Sequence, residues 1–211
     1  MILRTYVAKI RLLRQSVGRL RNAAHDYRIV RKWERTGRRL PVPSQAKRAY
    51  LRTIARQYRL RVFIETGTYD GGTLAALRRS FKQLHSIELS PEFYQQARIR
   101  FAADKRISIW QGDSGVVLRE VLDKIHEPVL FWLDGHYSGG STACGAESTP
   151  IRRELAHIAD HAHVGQHVVV IDDARLFCGT NGYPSIAEAK MLAGTLGFKT
   201  FRHVDDFLVL R

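Results

Sequence analysis

Apolar and polar positions follow two rhythms along most of this chain. Short, nearly continuous apolar runs predict strands over 61–66, 84–88, 106–110, 128–133, 167–172, 197–203 and 206–210. Between them, apolar residues recur in steps of three and four, which predicts helices over about 72–80, 91–103, 114–125, 150–160 and 184–195. Regular strand–helix alternation favours an α/β fold with a parallel sheet covered on both faces. The last two runs are separated only by a tight turn around Val204-Asp205-Asp206, so they should pair antiparallel.

Before residue 60 the pattern changes. Leu3, Tyr6, Ile10, Leu13, Val17, Leu20, Ala24 and Tyr27 form a heptad seam on one helix, which Gly18 weakens. The segment GRRLPVP (37–43) breaks that helix and reads as a linker, and Ser44 is placed to cap a second basic helix over about 45–58. The chain thus divides into an extension, 1–43, and a domain, 44–211.

Charge sharpens this division. Of 34 Lys and Arg residues, 18 fall within 1–61, against two acidic residues, Asp26 and Glu34. Residues 1–61, the extension and the basic helix after it, are therefore strongly cationic, and residues 62–211 are nearly neutral. Three partners suit such a helix: its own domain with a solvated basic face, an anionic membrane surface met by residues 1–40, or nucleic acid or an acidic protein. No apolar run approaches a membrane span, and the basic start does not look like a signal peptide. With only Cys144 and Cys178, neither a disulfide framework nor a zinc cluster is indicated. The expectation is a cytoplasmic protein in a reducing setting, peripheral at the inner membrane face if the extension binds lipid.

The segment VFIETGTYDGGT (62–73) carries the first chemical signal. A strand ending on a carboxylate, a glycine-punctuated turn and a helix start form a cradle for an anionic ligand group. Gly67, Gly71 and Gly72 do not fit the dinucleotide spacing G-x-G-x-x-G, and the lysine of a P-loop is missing. The pattern E-x-G-x-x-x-G-G-T resembles the first motif of class I S-adenosylmethionine-dependent methyltransferases. That family implies a Rossmann-like, doubly wound, seven-stranded sheet with an antiparallel last strand.

Acidic residues close five consecutive predicted strands: Glu65, Glu88, Asp113, Asp134 and the pair Asp172-Asp173. In a doubly wound sheet those ends border one crevice, where like charges cost stability unless a ligand or cation compensates. Glu88, twenty-one residues after Gly67, is placed to accept ribose hydroxyls, and Asp113 to accept an adenine amine. Glu65 and Thr73 suit an amino-acid tail, and Thr68, Tyr69, Gly71, Gly72 and Ser114 complete the cradle. A nucleoside with an amino-acid tail describes S-adenosylmethionine better than ATP or NAD. Ile87 and Trp110 either flank the adenine or belong to the core.

Asp134, Asp172 and Asp173 offer three hard oxygen ligands that suit Mg²⁺ or a similar ion. ETGTYDGGT, LDGHY and IDDAR together resemble the catechol- and caffeoyl-type O-methyltransferases and the macrolide and aminocoumarin sugar O-methyltransferases, over about residues 58–211. The resemblance makes these aspartates the metal ligands. His136 stands where the sugar enzymes carry an acidic base, and Tyr137 where the catechol enzymes carry a lysine. His136 is accordingly read as the catalytic base beside Asp134, or as a hydrogen-bond partner within the site. The polar, glycine-rich segment 137–149 suits a lid over a hydroxylated, sugar-like acceptor. Arg175 is placed either to offset the acidic pair or to hold an anionic substrate. His157, His161, His163 and His167 are read as ordinary helix-end residues, and Asp205-Asp206 as serving the last turn.

The expected function is a metal-assisted O-methyltransferase acting on a small or glycan-like hydroxyl acceptor. An RNA methyltransferase and a non-catalytic cofactor-binding module on anionic membrane remain as alternatives, and a dimer is compatible with the sequence. Absence of an N/D-P-P-Y/F motif at strand 4 counts against base N-methylation.

Overall fold

The computed structural model describes residues 23–135 and 149–211. The heptad seam up to Leu20, His136 and almost all of the 137–149 segment lie outside the described residues. The chain divides into two compact units between Ala49 and Tyr50. In the first, helix α1 is described over 23–35 and ends at Gly37, whose φ of 81° only glycine adopts without strain. Trp33 is buried and donates its indole N–H to the Arg39 carbonyl at 2.8 Å. Helix α2, Ser44–Gln57, begins one residue earlier than expected, so Ser44 opens the helix instead of preceding it.

The second unit is the α/β domain. Its strands are β1 (Val62–Thr66), β2 (Gln83–Glu88), β3 (Ile107–Gln111), β4 (Val129–Leu133), β5 (Val168–Ile171), β6 (Phe201–Val204) and β7 (Phe207–Leu210). The helices are α3 (Gly72–Leu77), α4 (Pro91–Phe101), α5 (Ser114–Leu122), α6 (Ile151–Ala159) and α7 (Ile186–Thr195). They build one seven-stranded sheet in the order β3-β2-β1-β4-β5-β7-β6. The first five strands run parallel, and β7 lies antiparallel between β5 and β6. The expected Rossmann-like sheet and its antiparallel last strand are both present.

Every residue of β1, β4, β5 and β7 is buried, as the uninterrupted apolar runs required of strands covered on both faces. On one face Phe131, Leu118, Leu155 and Ile158 join a single core cluster; each such side chain stabilises by roughly 1.5–3 kcal/mol when fully buried. Ile87 belongs to this core, and Trp110 packs against it while donating to His85 Nδ1 at 3.3 Å. Several elements are shorter than the pattern suggested. Residues 78–80 leave α3 as a turn, and β6 starts at Phe201, not 197, because Gly197, at φ 88°, lies in the turn that ends α7.

Candidate active site

The parallel ladder continues one residue beyond each strand end, and this brings the acidic positions together. Asp134 N donates to Thr66 O at 3.1 Å and Asp172 N to Leu133 O at 3.0 Å, while Gly67 N donates to Ile87 O and Gly112 N to Glu88 O, each at 2.9 Å. Gly67, Asp134 and Asp172 are therefore neighbours across three strands, with Glu88 on the other side of Gly67. Gly67 also has a steric reason to be glycine. Its φ is 83°, and a Cβ there would sit 2.6 Å from the Asp134 carbonyl oxygen. The glycine turn and the β4 carboxylate are thus packed backbone to backbone.

On the turn side, Glu88 accepts from Tyr69 N (2.8 Å) and Ser90 N (2.9 Å), which fixes the carboxylate beneath the loop. Tyr69 takes φ 48°, is half exposed and meets Phe93 edge-on with ring centroids 4.9 Å apart. Glu65 is buried and accepts from Ser86 Oγ at 2.8 Å; Ser86 in turn lies 2.5 Å from Thr68 Oγ1. Since the Ser86 proton goes to Glu65, Thr68 donates to Ser86, making a buried chain that ends on the carboxylate. Gly72 N donates to Asp70 Oδ1 at 2.8 Å, and Thr73 is half-buried in the first turn of α3. Gly71 answers an internal demand: its φ is 70°, and a Cβ would meet the Phe101 ring at 2.7 Å.

Asp113 is the N-cap of α5. Its Oδ1 accepts from Gly115 N at 2.8 Å, and its Oδ2 pairs with Arg153 at 3.0 Å. The next residue, Ser114, is buried and donates to Glu154 Oε1 at 2.6 Å.

Asp134, Asp172 and Asp173 converge: one carboxylate oxygen from each lies within 4.8 Å of the others. Three hard, anionic oxygens at that spacing match the donor set of a divalent cation such as Mg²⁺. Asp173 is held at φ 54°, a left-handed conformation uncommon outside glycine. Arg175 lies beside this acidic pair and is shared between two carboxylates, donating to Asp173 Oδ1 at 2.7 Å and pairing with Asp206.

The sequence reading missed Glu154 and Tyr183. Glu154 is 2% exposed, and burial, with the Asp113 charge adding to it, pushes its carboxyl up to about 7 against the hydrogen bond from Ser114 that favours its ionised form. The Thr66 hydroxyl itself has no partner of normal hydrogen-bond geometry. A signal for Glu154 was present: Ile151, Glu154, Leu155 and Ile158 share one helical stripe, so a carboxylate stands among apolar positions. A cavity of about 10 Å³, room for roughly one water, lies among Glu154, Asp172, Tyr183, Thr149 and Phe177. Burial, then the charges of Asp173 and Asp134, raise the Tyr183 pKa, so its hydroxyl remains a protonated donor.

Of the four histidines read as helix-end residues, His157, His161 and His167 hold their rings in hydrogen bonds within the fold, and His167 is fully buried ahead of β5. His157 Nε2 lies 3.0 Å from the Gly115 carbonyl. Val129 N donates to His167 Nδ1 (3.0 Å), His167 Nε2 lies 2.8 Å from His161 Nδ1, and His161 Nε2 lies 3.0 Å from Ile125 O. The only consistent proton arrangement has both imidazoles neutral and protonated on Nε2. Among the described residues, the aspartate trio is the group whose geometry suits a metal.

No family model matches the chain, and no curated protein matches it. Solved structures share its fold. A Podospora anserina methyltransferase, PaMTH1, bound to SAH, is 17% identical with a TM-score of 0.57, covering 90% of this chain and 93% of its own. The fold is that of the class I methyltransferases. TomG, an O-methyltransferase of tomaymycin synthesis from Streptomyces achromogenes solved with SAM, is 19% identical with a TM-score of 0.58, covering 89% and 86%. An O-methyltransferase from Bacillus cereus in complex with SAH is 12% identical with a TM-score of 0.55, covering 89% of each chain. At these identities the likeness is one of fold.

Proposed function

We propose that this chain is an S-adenosylmethionine-dependent, divalent-metal-assisted O-methyltransferase acting on a hydroxyl of a small or glycan-like acceptor. The observation that carries this reading is the convergence of Asp134, Asp172 and Asp173 beside the glycine turn, where Gly67 packs against the Asp134 backbone. TomG and the Bacillus cereus protein, which share the fold, are O-methyltransferases solved with SAM and SAH, which supports the donor.

Asp134, Asp172 and Asp173 would hold the ion. When bound, it lowers the pKa of an acceptor hydroxyl and orients that oxygen toward the methyl group. Glu88 would receive the ribose hydroxyls and Asp113 the adenine amine; both oxygens of each carboxylate are already fixed by one contact with the chain, and each oxygen can accept a second hydrogen bond. Glu65, Thr68, Tyr69, Thr73 and Ser114, with the backbone at Gly67, Gly71 and Gly72, would seat the rest of the donor. His136 is assigned the hydroxyl proton, and Tyr183 is a protonated donor on the acceptor side.

Among the described residues no helix is long and apolar enough to cross a membrane. In the extension Arg28, Arg31, Lys32, Arg35, Arg38 and Arg39 are exposed, and so are Tyr27 and Leu40. Clustered cations with exposed apolar groups favour docking on an anionic lipid surface, which would place the enzyme at the cytoplasmic face of a membrane.

Calorimetry with S-adenosylmethionine, with and without Mg²⁺, tests the proposal. Donor binding that tightens with the metal is expected; no donor binding overturns it. A salt series with anionic vesicles and with RNA separates lipid docking from an RNA-directed enzyme.

A further inference from the structure

The hairpin that closes the sheet reaches back to the end of β5. Asp205, at φ 53°, turns the chain, and Asp206 follows it fully buried, at 0% exposed. The Asp206 carbonyl accepts from Ala174 N at 2.8 Å, and Asp206 Oδ1 accepts from Arg175 N at 2.9 Å. Its second oxygen, Oδ2, takes Arg175 Nη1 in a short charge-assisted contact. The same Nη1 donates to Asp173 Oδ1 at 2.7 Å. One guanidinium nitrogen is therefore divided between two carboxylates, and only one of these belongs to the converging trio.

That division has an electrostatic consequence. An arginine paired with Asp173 alone would neutralise it and oppose a second cation at the same carboxylates. Asp206 supplies a buried counter-charge, so the guanidinium orients Asp173 through one oxygen without cancelling the charge of the trio. Hydrogen bonds of this kind fix the direction in which a ligating carboxylate points.

We propose that Asp206, acting through Arg175, is a positioning residue that keeps Asp173 oriented and its negative charge uncancelled for metal binding. The inference rests on the metal-binding reading of the trio.

Mn²⁺ titrated into the full chain, followed by the electron paramagnetic resonance signal of the free ion, tests it without needing an acceptor. Asp206→Asn should weaken binding about ten- to hundredfold, since the arginine then pairs with Asp173 alone. Arg175→Met combined with Asp206→Asn should regain most of that loss, because the charge balance is restored. A hairpin anchor with no electrostatic role gives no such rescue. A double variant no tighter than Asp206→Asn overturns the inference, as does an Asp206→Asn protein that binds like the wild type. If melting curves show that Asp206→Asn does not fold, the double variant is compared with Asp173→Asn, and equal weakness of the two overturns it. Wild-type chain that ignores millimolar Mn²⁺ instead removes the metal reading itself.

Discussion

At the amino edge of the sheet, His167 and His161 form a chain of neutral imidazoles, running from the Val129 N–H to the Ile125 carbonyl. At the carboxyl edge, Asp134, Asp172 and Asp173 bring three carboxylate oxygens within 4.8 Å of one another. Both edges bury ionisable groups. In the first, the neutral form satisfies every ring nitrogen, so burial costs little and holds β4, β5 and the end of α6 together. In the second, like charges are gathered, and Arg175 is shared with a fourth carboxylate, Asp206. An arrangement that a neutral state satisfies is built for stability. One that concentrates a single charge is tolerated for a ligand.

Substitutions at the two edges should therefore produce opposite phenotypes, and these are the largest effects expected. Asp172→Ala should lower Mn²⁺ affinity by more than about 100-fold while leaving the thermal midpoint unchanged or higher, because like-charge repulsion is relieved. His167→Ala should leave Mn²⁺ affinity within about twofold and lower the midpoint by roughly 5–12 °C, since it opens a cavity and orphans the Val129 N–H. Paired binding and melting curves check both. If each variant lost both properties equally, the distinction between the edges would fail.

Much of the carboxyl edge was legible in the sequence because strand ends are. Apolar runs stop where the sheet stops, so Glu65, Glu88, Asp134, Asp172 and Asp173 could be placed on one border, and the ladder continuing past β1, β4 and β5 aligns Gly67, Asp134 and Asp172 there. What escaped was contact between distant segments. Asp206 reads locally as a turn residue beside Asp205, yet it is the buried partner of Arg175 thirty-one positions earlier. Ser86 is an inconspicuous strand serine until the β1–β2 register sets it opposite Glu65. Glu154 left a trace, as an acid on an apolar helical stripe, but only the fold shows that Ser114 meets it. Gly71 was read as part of the ligand cradle, and the local pattern could not show that the ring of Phe101, thirty positions on, stands where its Cβ would be.

A smaller effect probes the seam within the carboxyl edge. Gly67→Ala places a methyl against the Asp134 carbonyl at an unfavourable φ, so it should cost about 1–3 kcal/mol and weaken donor and Mn²⁺ binding together. Gly71→Ala pushes instead on the movable ring of Phe101 and should leave Mn²⁺ affinity unchanged. Calorimetry on both variants with each ligand reads the difference. Equal metal affinity in Gly67→Ala and wild type would show that the turn and the β4 carboxylate are not coupled.

The smallest effect lies in the pH dependence of stability, where the two edges pull in opposite directions. Burial, then the neighbouring His161 and His163, lower the His167 pKa from 6.5 to about 3. The unfolded chain gains its proton first, so this stability is complete above about pH 6.5 and is lost as pH falls toward 3. His85, lowered to about 4 by burial and then Lys124, adds in the same sense. Glu154 is raised from 4.5 to about 7, so here the folded chain keeps a proton that the unfolded chain has released. Its contribution is complete below about pH 4.5 and falls as pH rises through 7. Between these limits the slopes partly cancel, and the wild-type midpoint should change little from pH 5 to 6.5. Glu154→Gln, which keeps an acceptor for Ser114, should remove the decline and melt several degrees higher at pH 8. The acid-side loss belongs to the other edge and should be untouched in that variant. A midpoint that still declined from pH 6 to 8 in Glu154→Gln would place the raised carboxyl somewhere else.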